Sequence, residues 1–271
     1  MSRLLELLDV RGGDADVWVA AGHGPADKRA FGGQFVAQSM AAAGQTVPAE
    51  AGPTSMHLQF LRGGEAGDAV DYAVTPVFDG RTASARRVDA TQAGRLLTTA
   101  TVSFAAPMAG PEHGRRDVMP GDPEALPRSG PAGPAPSMPL DEIDIRLDDD
   151  RSTGEFVRRL WWRVTVPVPD DALLHTVIAA YVCDVYMIDP ALAVHGHSMA
   201  ARTHRSGTTD SSIWFHRRVH ADQWNLLETR SPAAARGRGV ITGSLIGSDG
   251  VIAATLAQEG LIAEREQLGA G

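Results

Sequence analysis

The sequence predicts an α+β fold made of two copies of one layered unit, each a buried helix followed by an antiparallel sheet. Three observations carry that expectation. Two helix-length stretches, 31–47 and 171–188, are apolar nearly all round. Each is trailed by β-favouring runs that short glycine-containing turns separate. The two series also follow the same order on either side of a different kind of segment, 107–150, crowded with Pro and Gly and then acidic.

Composition bounds the rest. At 271 residues, 43% hydrophobic and 21% charged, the chain suits one large domain or two small ones. No apolar run approaches the roughly 18–20 residues of a membrane span. A net charge of −8 argues against nucleic acid and membrane surfaces as partners. The start, Met1-Ser2-Arg3-Leu4-Leu5-Glu6, lacks a secretory pattern, and Leu268-Gly269-Ala270-Gly271 is no targeting address, so a cytoplasmic location is expected. Cys183 is the only cysteine, which excludes an intrachain disulfide and a cysteine-based zinc site. Lys28, the only lysine, sits in a polar turn, which argues against Schiff-base chemistry.

In chain order, residues 1–20 read as a short helix and a loop leading to Trp18. The helix at 31–47 ends before Pro48 and the Gly52-Pro53 pair. Four β-like runs follow, at 54–62, 69–79, 82–91 and 95–106, spaced by Gly63-Gly64, Asp79-Gly80 and Ala93-Gly94 as hairpins are. The segment 107–150 reads as a linker with little structure of its own, covering a surface. Beyond it come a β-like run at 158–168, the helix at 171–188 capped by Asp170 or Asp171, and a loop to about 206. The stretch 207–216 then reads as a strand entering a core through the run Ile213–Phe215, and further strands fall near 224–231, 234–246 and 251–263, the last two joined by Asp249-Gly250.

Local matches support the duplication. Phe60-Leu61-Arg62 corresponds to Phe215-His216-Arg217, Ala85-Arg86-Arg87 to Ala235-Arg236-Gly237, and the run from Gly94 to the run from Gly250. A long apolar helix wrapped by an antiparallel sheet is the hot-dog arrangement. The expected architecture is therefore a double hot dog: an N-terminal copy at 1–106, the linker at 107–150, and a C-terminal copy at 151–271.

The copies differ where chemistry is expected. The first helix has no acid, whereas the second carries Asp184 in an apolar setting. The repeat register puts Gln258 where the first half has Val102, and Thr208 opens the strand that runs into Ile213-Trp214-Phe215. A buried carboxylate needs donors, and Thr208 and Gln258 on neighbouring strands can supply them. An acid, a hydroxyl and an amide together can hold a water, with Asp184 as general base. Asp184 as a cap or a satisfied core residue is the other reading that the pattern allows.

The motifs Phe31-Gly32-Gly33-Gln34, Phe60-Leu61-Arg62-Gly63, Ser84-Ala85-Arg86-Arg87-Val88 and Ser103-Phe104 are followed by Tyr181-Val182-Cys183-Asp184, Thr208-Thr209-Asp210-Ser211-Ser212-Ile213-Trp214-Phe215-His216-Arg217 and Gln258-Glu259-Gly260. With that order and spacing the chain resembles the type II acyl-CoA thioesterases, the TesB-like family, over nearly its whole length. The resemblance implies hydrolysis of acyl-CoA to fatty acid and CoA, with Asp184, Thr208 and Gln258 as the catalytic trio. It implies no metal or redox cofactor, and pairing of chains into a homodimer or higher homo-oligomer. The chain departs from the family pattern at Ser211, where His is usual, at Cys183, where Ser is frequent, and in the loop 189–206. These departures bear on substrate choice. They also leave open a non-catalytic acyl-CoA-binding protein of the same fold.

Further residues carry two readings each. Arg86 and Arg87, like Arg217 and Arg218, suit the phosphates of CoA or are solvated strand arginines. Gly33 presents a helix-start amide to an anion or packs closely on the sheet. His57 and Trp214 line a substrate wall or belong to a core or interface. His195-Gly196-His197 lacks a third ligand for a metal, and Asp189-Pro190 with His195 fails the spacing of a hydratase motif. Gly237-Arg238-Gly239 precedes no helix, so it is not a dinucleotide fingerprint.

Overall fold

The computed structural model of the chain describes residues 2–13, 16–25, 27–116, 118–129, 140–152 and 155–265. The chain opens with α1 (Arg3–Leu8), capped by the Ser2 side chain, and two short strands, β1 (Val10–Gly12) and β2 (Val17–Ala20). Helix α2 (Gly32–Gly44) leads to β3 (Gly52–Phe60), β4 (Val70–Asp79), β5 (Ala83–Gln92) and β6 (Arg95–Ala105). The second half runs β7 (Ile143–Leu147), β8 (Val157–Val164), α3 (Ala172–Val182), α4 (Asp189–Ala193), β9 (His204–Phe215), β10 (Asn225–Ala235), β11 (Arg238–Gly247) and β12 (Ile252–Glu264).

Among the described residues the strands form one sheet in the order β1-β2-β4-β5-β6-β3-β9-β12-β11-β10-β8-β7. The halves meet at its centre, where β3 pairs antiparallel with β9, Met56 opposite Ile213 and Leu58 opposite Ser211. Alternation decides which side chains face inward. Met56, Leu58, Val102, Ile213 and Leu256 point to the helices and are buried, in one continuous core with Met40, Val177, Ile178 and Tyr181. The expected double hot dog is therefore present, as one body with a shared core.

Turn chemistry fixes the registers. Ala93-Gly94 and Arg236-Gly237 both have positive φ at two successive residues, the geometry that matches the twist of a tight hairpin. Asp171 caps α3 by accepting the Leu173 and Leu174 amides at 2.8 and 3.2 Å.

Several expectations need correction. Residues 1–20 contain two short strands besides the helix, β1 at the sheet edge and β2 next to it. The acidic end of the presumed linker contributes β7, whose Ile143 and Ile145 are buried against the core and which pairs with β8. Alternating Ile and acid had the period of a strand, but charge masked it. The linker positions 130–139 lie outside the described residues. The second helix stops at Val182 instead of running to 188: the chain turns through Tyr186 at φ 56° and restarts at α4 with Pro190 in its first turn. Strand β9 begins at His204, four residues before Thr208. Arg86 lies opposite Val102, and Ile241 lies opposite Gln258, so the counterpart of Arg86 is Ile241 and not Arg236.

Candidate active site

Asp184 sits in the turn just past α3, not inside a helix. That turn packs against the start of α2, where no side chain of α2's own N-cap, Phe31, satisfies the first amides. Asp184 fills the gap across the fold, accepting the Gly33 amide. A carboxylate there satisfies an orphan donor and meets the positive end of the helix dipole. The close approach requires Gly32, because a Cβ there would lie 2.5 Å from Asp184 Oδ2 and 3.3 Å from the Phe60 ring.

Two further donors converge on the same carboxylate oxygen. Gln258 Nε2 donates to Asp184 Oδ1 at 3.2 Å, and the Thr208 hydroxyl donates to it at 3.4 Å. Burial nevertheless outweighs these bonds and pushes the Asp184 carboxyl up to about 7. The same burial, with the Asp184 charge beside it, pushes the Cys183 thiol up to about 12, so the thiol is inert at neutral pH. The Tyr181 hydroxyl is likewise raised by burial and by Asp184, and it has no hydrogen-bond partner among the described residues.

Gln258 is 2% exposed and lies opposite Ser211, itself 2% exposed. Its second amide hydrogen goes to Ser211 Oγ at 3.1 Å. Both hydrogens of Nε2 are therefore committed, while Gln258 Oε1 is buried without a partner. Thr208 reaches the inner face because of a β-bulge. Strand β9 pairs Asp210 with Glu259 and Thr208 with Gly260, which leaves Thr209 as the extra residue. Strict alternation from Ser211 would have pointed Thr208 outward.

The three residues predicted as a trio are thus brought together, with Gly33 beside them. The other predicted binding residues are not. His57 and Trp214 stack edge-to-face at 5.3 Å on the outer face of the sheet, where His57 Nδ1 meets Ser212 Oγ at 3.1 Å. Arg87 is exposed and forks onto Asp89. Arg86 is a correction: it is only 3% exposed, and all five of its donor positions are used. They go to Thr46 Oγ1 and O, Phe78 O, Ala85 O and Asp79, which leaves none for a phosphate. A cleft of about 1020 Å³, lined by Leu5, Leu8, Val19, Ala41, Leu173 and Val177, lies at the opposite ends of the two helices from Asp184. Sequence reasoning missed Gly32 and the Ser211 contact. Gly32 stood within a quoted motif, but only the fold reveals what it faces.

Fold and site together define a double hot-dog protein with a polar site in which a carboxylate is held between the start of one copy's helix and the strands of the other. Comparison with known proteins gives the same class. Residues 19–105 match the family model described as the acyl-CoA thioesterase N-terminal domain, and residues 111–262 match the acyl-CoA thioesterase C-terminal domain. The chain belongs to the acyl-CoA thioesterase family. It is 31% identical to acyl-CoA thioesterase 2 of Haemophilus influenzae, over 87% of this chain and 88% of that one. It is 29% identical to human acyl-coenzyme A thioesterase 8, over 93% of this chain and 84% of the relative. Among solved structures, acyl-CoA thioesterase II TesB2 from Mycobacterium marinum aligns with a TM-score of 0.83 at 28% identity, covering 98% of this chain and 99% of that one.

Proposed function

We propose that this protein is an acyl-CoA thioesterase that hydrolyses acyl-CoA to a free fatty acid and CoA, with Asp184, Thr208 and Gln258 handling the water. The observation that carries the reading is the open Gln258 Oε1 beside a carboxylate whose burial brings it to about 7. A water has two hydrogens to place. One goes to Asp184, which acts as general base, and the other to Gln258 Oε1, which turns the oxygen lone pair to the thioester carbon. Thr208 holds the carboxylate in that orientation.

As the water oxygen bonds to the carbonyl carbon, its proton passes to Asp184. The carbon–sulfur bond then breaks, and the proton returns to the departing CoA sulfur. The start of α2, whose Gly33 amide already bonds Asp184, supplies positive potential for the developing oxyanion. A thioester is activated enough for a positioned water to suffice without a covalent nucleophile. We further take the chain to act as a homodimer or higher homo-oligomer in the cytoplasm. The exposed Val77, Phe78 and Trp214 supply apolar surface for pairing, and no helix among the described residues is long and apolar enough to cross a membrane.

The test is release of free thiol from a panel of acyl-CoAs, short to long, by wild type and by Asp184→Asn. Turnover by wild type that falls about 10²–10⁴-fold in the folded variant supports the reading. Binding without thiol release by wild type would make the protein a non-catalytic acyl-CoA binder.

A further inference from the structure

We propose that Asp210 is a positioning residue: by accepting the Glu259 amide it locks the β9 bulge that turns Thr208 onto the inner face beside Asp184. The inference rests on the reading above, in which Thr208 serves the reaction, and extends it to a residue that touches neither substrate nor the reacting atoms.

The duplication supplies an internal control. Both halves carry the bulge at the same place. In the first, Pro53 pairs with Phe104 and Ser55 with Ser103, leaving Thr54 as the extra residue. In the second, Thr208 pairs with Gly260 and Asp210 with Glu259, leaving Thr209. The extra threonine plays one part in both, donating to the carbonyl across the strand: Thr54 Oγ1 to Ser103 O at 3.2 Å, and Thr209 Oγ1 to Glu259 O at 3.0 Å. The bulge therefore belongs to the fold, and one hydroxyl bond accompanies it where Pro53 occupies the position of Thr208 and nothing is aimed.

The second half adds more. Asp210 stands where the first half has Ser55, and its Oδ1 accepts the Glu259 amide at 3.0 Å. Glu259 stands in place of Ser103, and its Oε1 is within reach of the Thr209 hydroxyl at 2.8 Å and of Arg238 Nη1 at 2.9 Å. These bonds appear in the half that holds the trio, at the residues flanking Thr208 and Gln258. Their effect bears on a weak point. The Thr208 contact with Asp184 is 3.4 Å, longer than the roughly 2.5–3.0 Å usual for a hydroxyl donor, so a small backbone shift breaks it. Within the clamp, Asp210 bonds backbone directly across the bulge and has the most control over where the strand leaves its regular course.

The experiment compares Asp210→Ala with Asp210→Asn, which keeps Oδ1 as an acceptor. Asp210→Ala is expected to lower kcat about tenfold or more with KM little changed, as misplacement of a positioned group does. Asp210→Asn should restore most of that loss. In a Thr208→Ala background, Asp210→Ala should cost nothing further, because the residue acts through Thr208. An equal loss in both backgrounds, or no loss in the wild type, overturns the proposal. A crystal structure of Asp210→Ala decides the matter independently of turnover: loss of the Thr208–Asp184 contact, retained in Asp210→Asn, is expected. An unchanged bulge and contact would refute the clamp even if the enzyme were active, whereas a displaced Thr208 in a chain that turns over no acyl-CoA would refute only the functional reading. Should Asp210→Ala fail to fold, the same structural comparison on Asp210→Ser, which shortens the side chain to that of Ser55, replaces it.

Discussion

Gln258 Nε2 donates to Asp184 Oδ1 at 3.2 Å, and its other hydrogen goes to Ser211, so this amide can meet a water only as an acceptor. Replacing Gln258 by Ala removes the acceptor and one donor to the base. We expect kcat to fall about 10–100-fold. Gln258→Glu sets a second carboxylate against Asp184, and like charge raises the pKa further, so the alkaline requirement for activity should move upward. Steady-state kinetics over a pH series check both. A Gln258→Ala enzyme with wild-type kcat would remove the amide from the mechanism.

Asp184 links pH to stability as well as to rate. Its carboxyl titrates near 7 in the folded chain, against about 3.8 for an ordinary aspartate. Between those values the folded state holds a proton that the unfolded state has released, so the contribution of this residue to stability declines as pH rises through the window. Above it, folding carries the whole cost of a buried charge. Asp184→Asn should therefore raise Tm at pH 8, with the advantage shrinking toward pH 4. Differential scanning calorimetry of both proteins measures this, and a variant less stable than wild type at pH 8 would contradict it.

Gly32→Ala separates activity from stability. The added methyl would fall 2.5 Å from Asp184 Oδ2, with the Phe60 ring behind it, so the carboxylate must move. A displacement of about 1 Å at a reacting group costs on the order of 10²-fold in rate. Crowding of this kind costs roughly 1–3 kcal/mol, so Tm should fall modestly while activity falls by the larger factor. Parallel thiol-release assays and thermal melts give the answer.

Arg86 gives the opposite dissociation. Its buried guanidinium bonds to Thr46, to the Phe78 carbonyl and to the exposed Asp79 carboxylate. Arg86→Ala removes those bonds to a charged donor, each worth on the order of 1.5–3 kcal/mol and less where water replaces it. Tm should drop while KM for acyl-CoA stays near the wild-type value. A large rise in KM without loss of Tm would return Arg86 to the binding site.

The comparison of halves made the trio legible because Asp184, Thr208 and Gln258 interrupt otherwise apolar or unremarkable repeat positions. The sheet's hairpins were legible from Asp-Gly and Ala-Gly turns. What escaped were features that depend on several segments at once. No local pattern marks the bulge at Thr209, which decides the facing of Thr208. Arg86 and Arg87 are neighbours with opposite fates, one saturated beneath Thr46 and the other in solvent, and alternation alone does not say which face is covered. Helix α3 ends at Val182 although the composition would have continued it, and the chain turns through Tyr186 at φ 56° before α4.

The most direct test of Asp184 as a base poised by burial is the pH dependence of kcat for the wild type on a well-hydrolysed acyl-CoA. The carboxylate must be ionised to take the proton, so activity should be full above about pH 7 and fall roughly tenfold per unit below it. Asp184→Asn should show only residual turnover without that limb. A wild-type profile flat down to pH 5, or a variant retaining the same limb, would contradict the account.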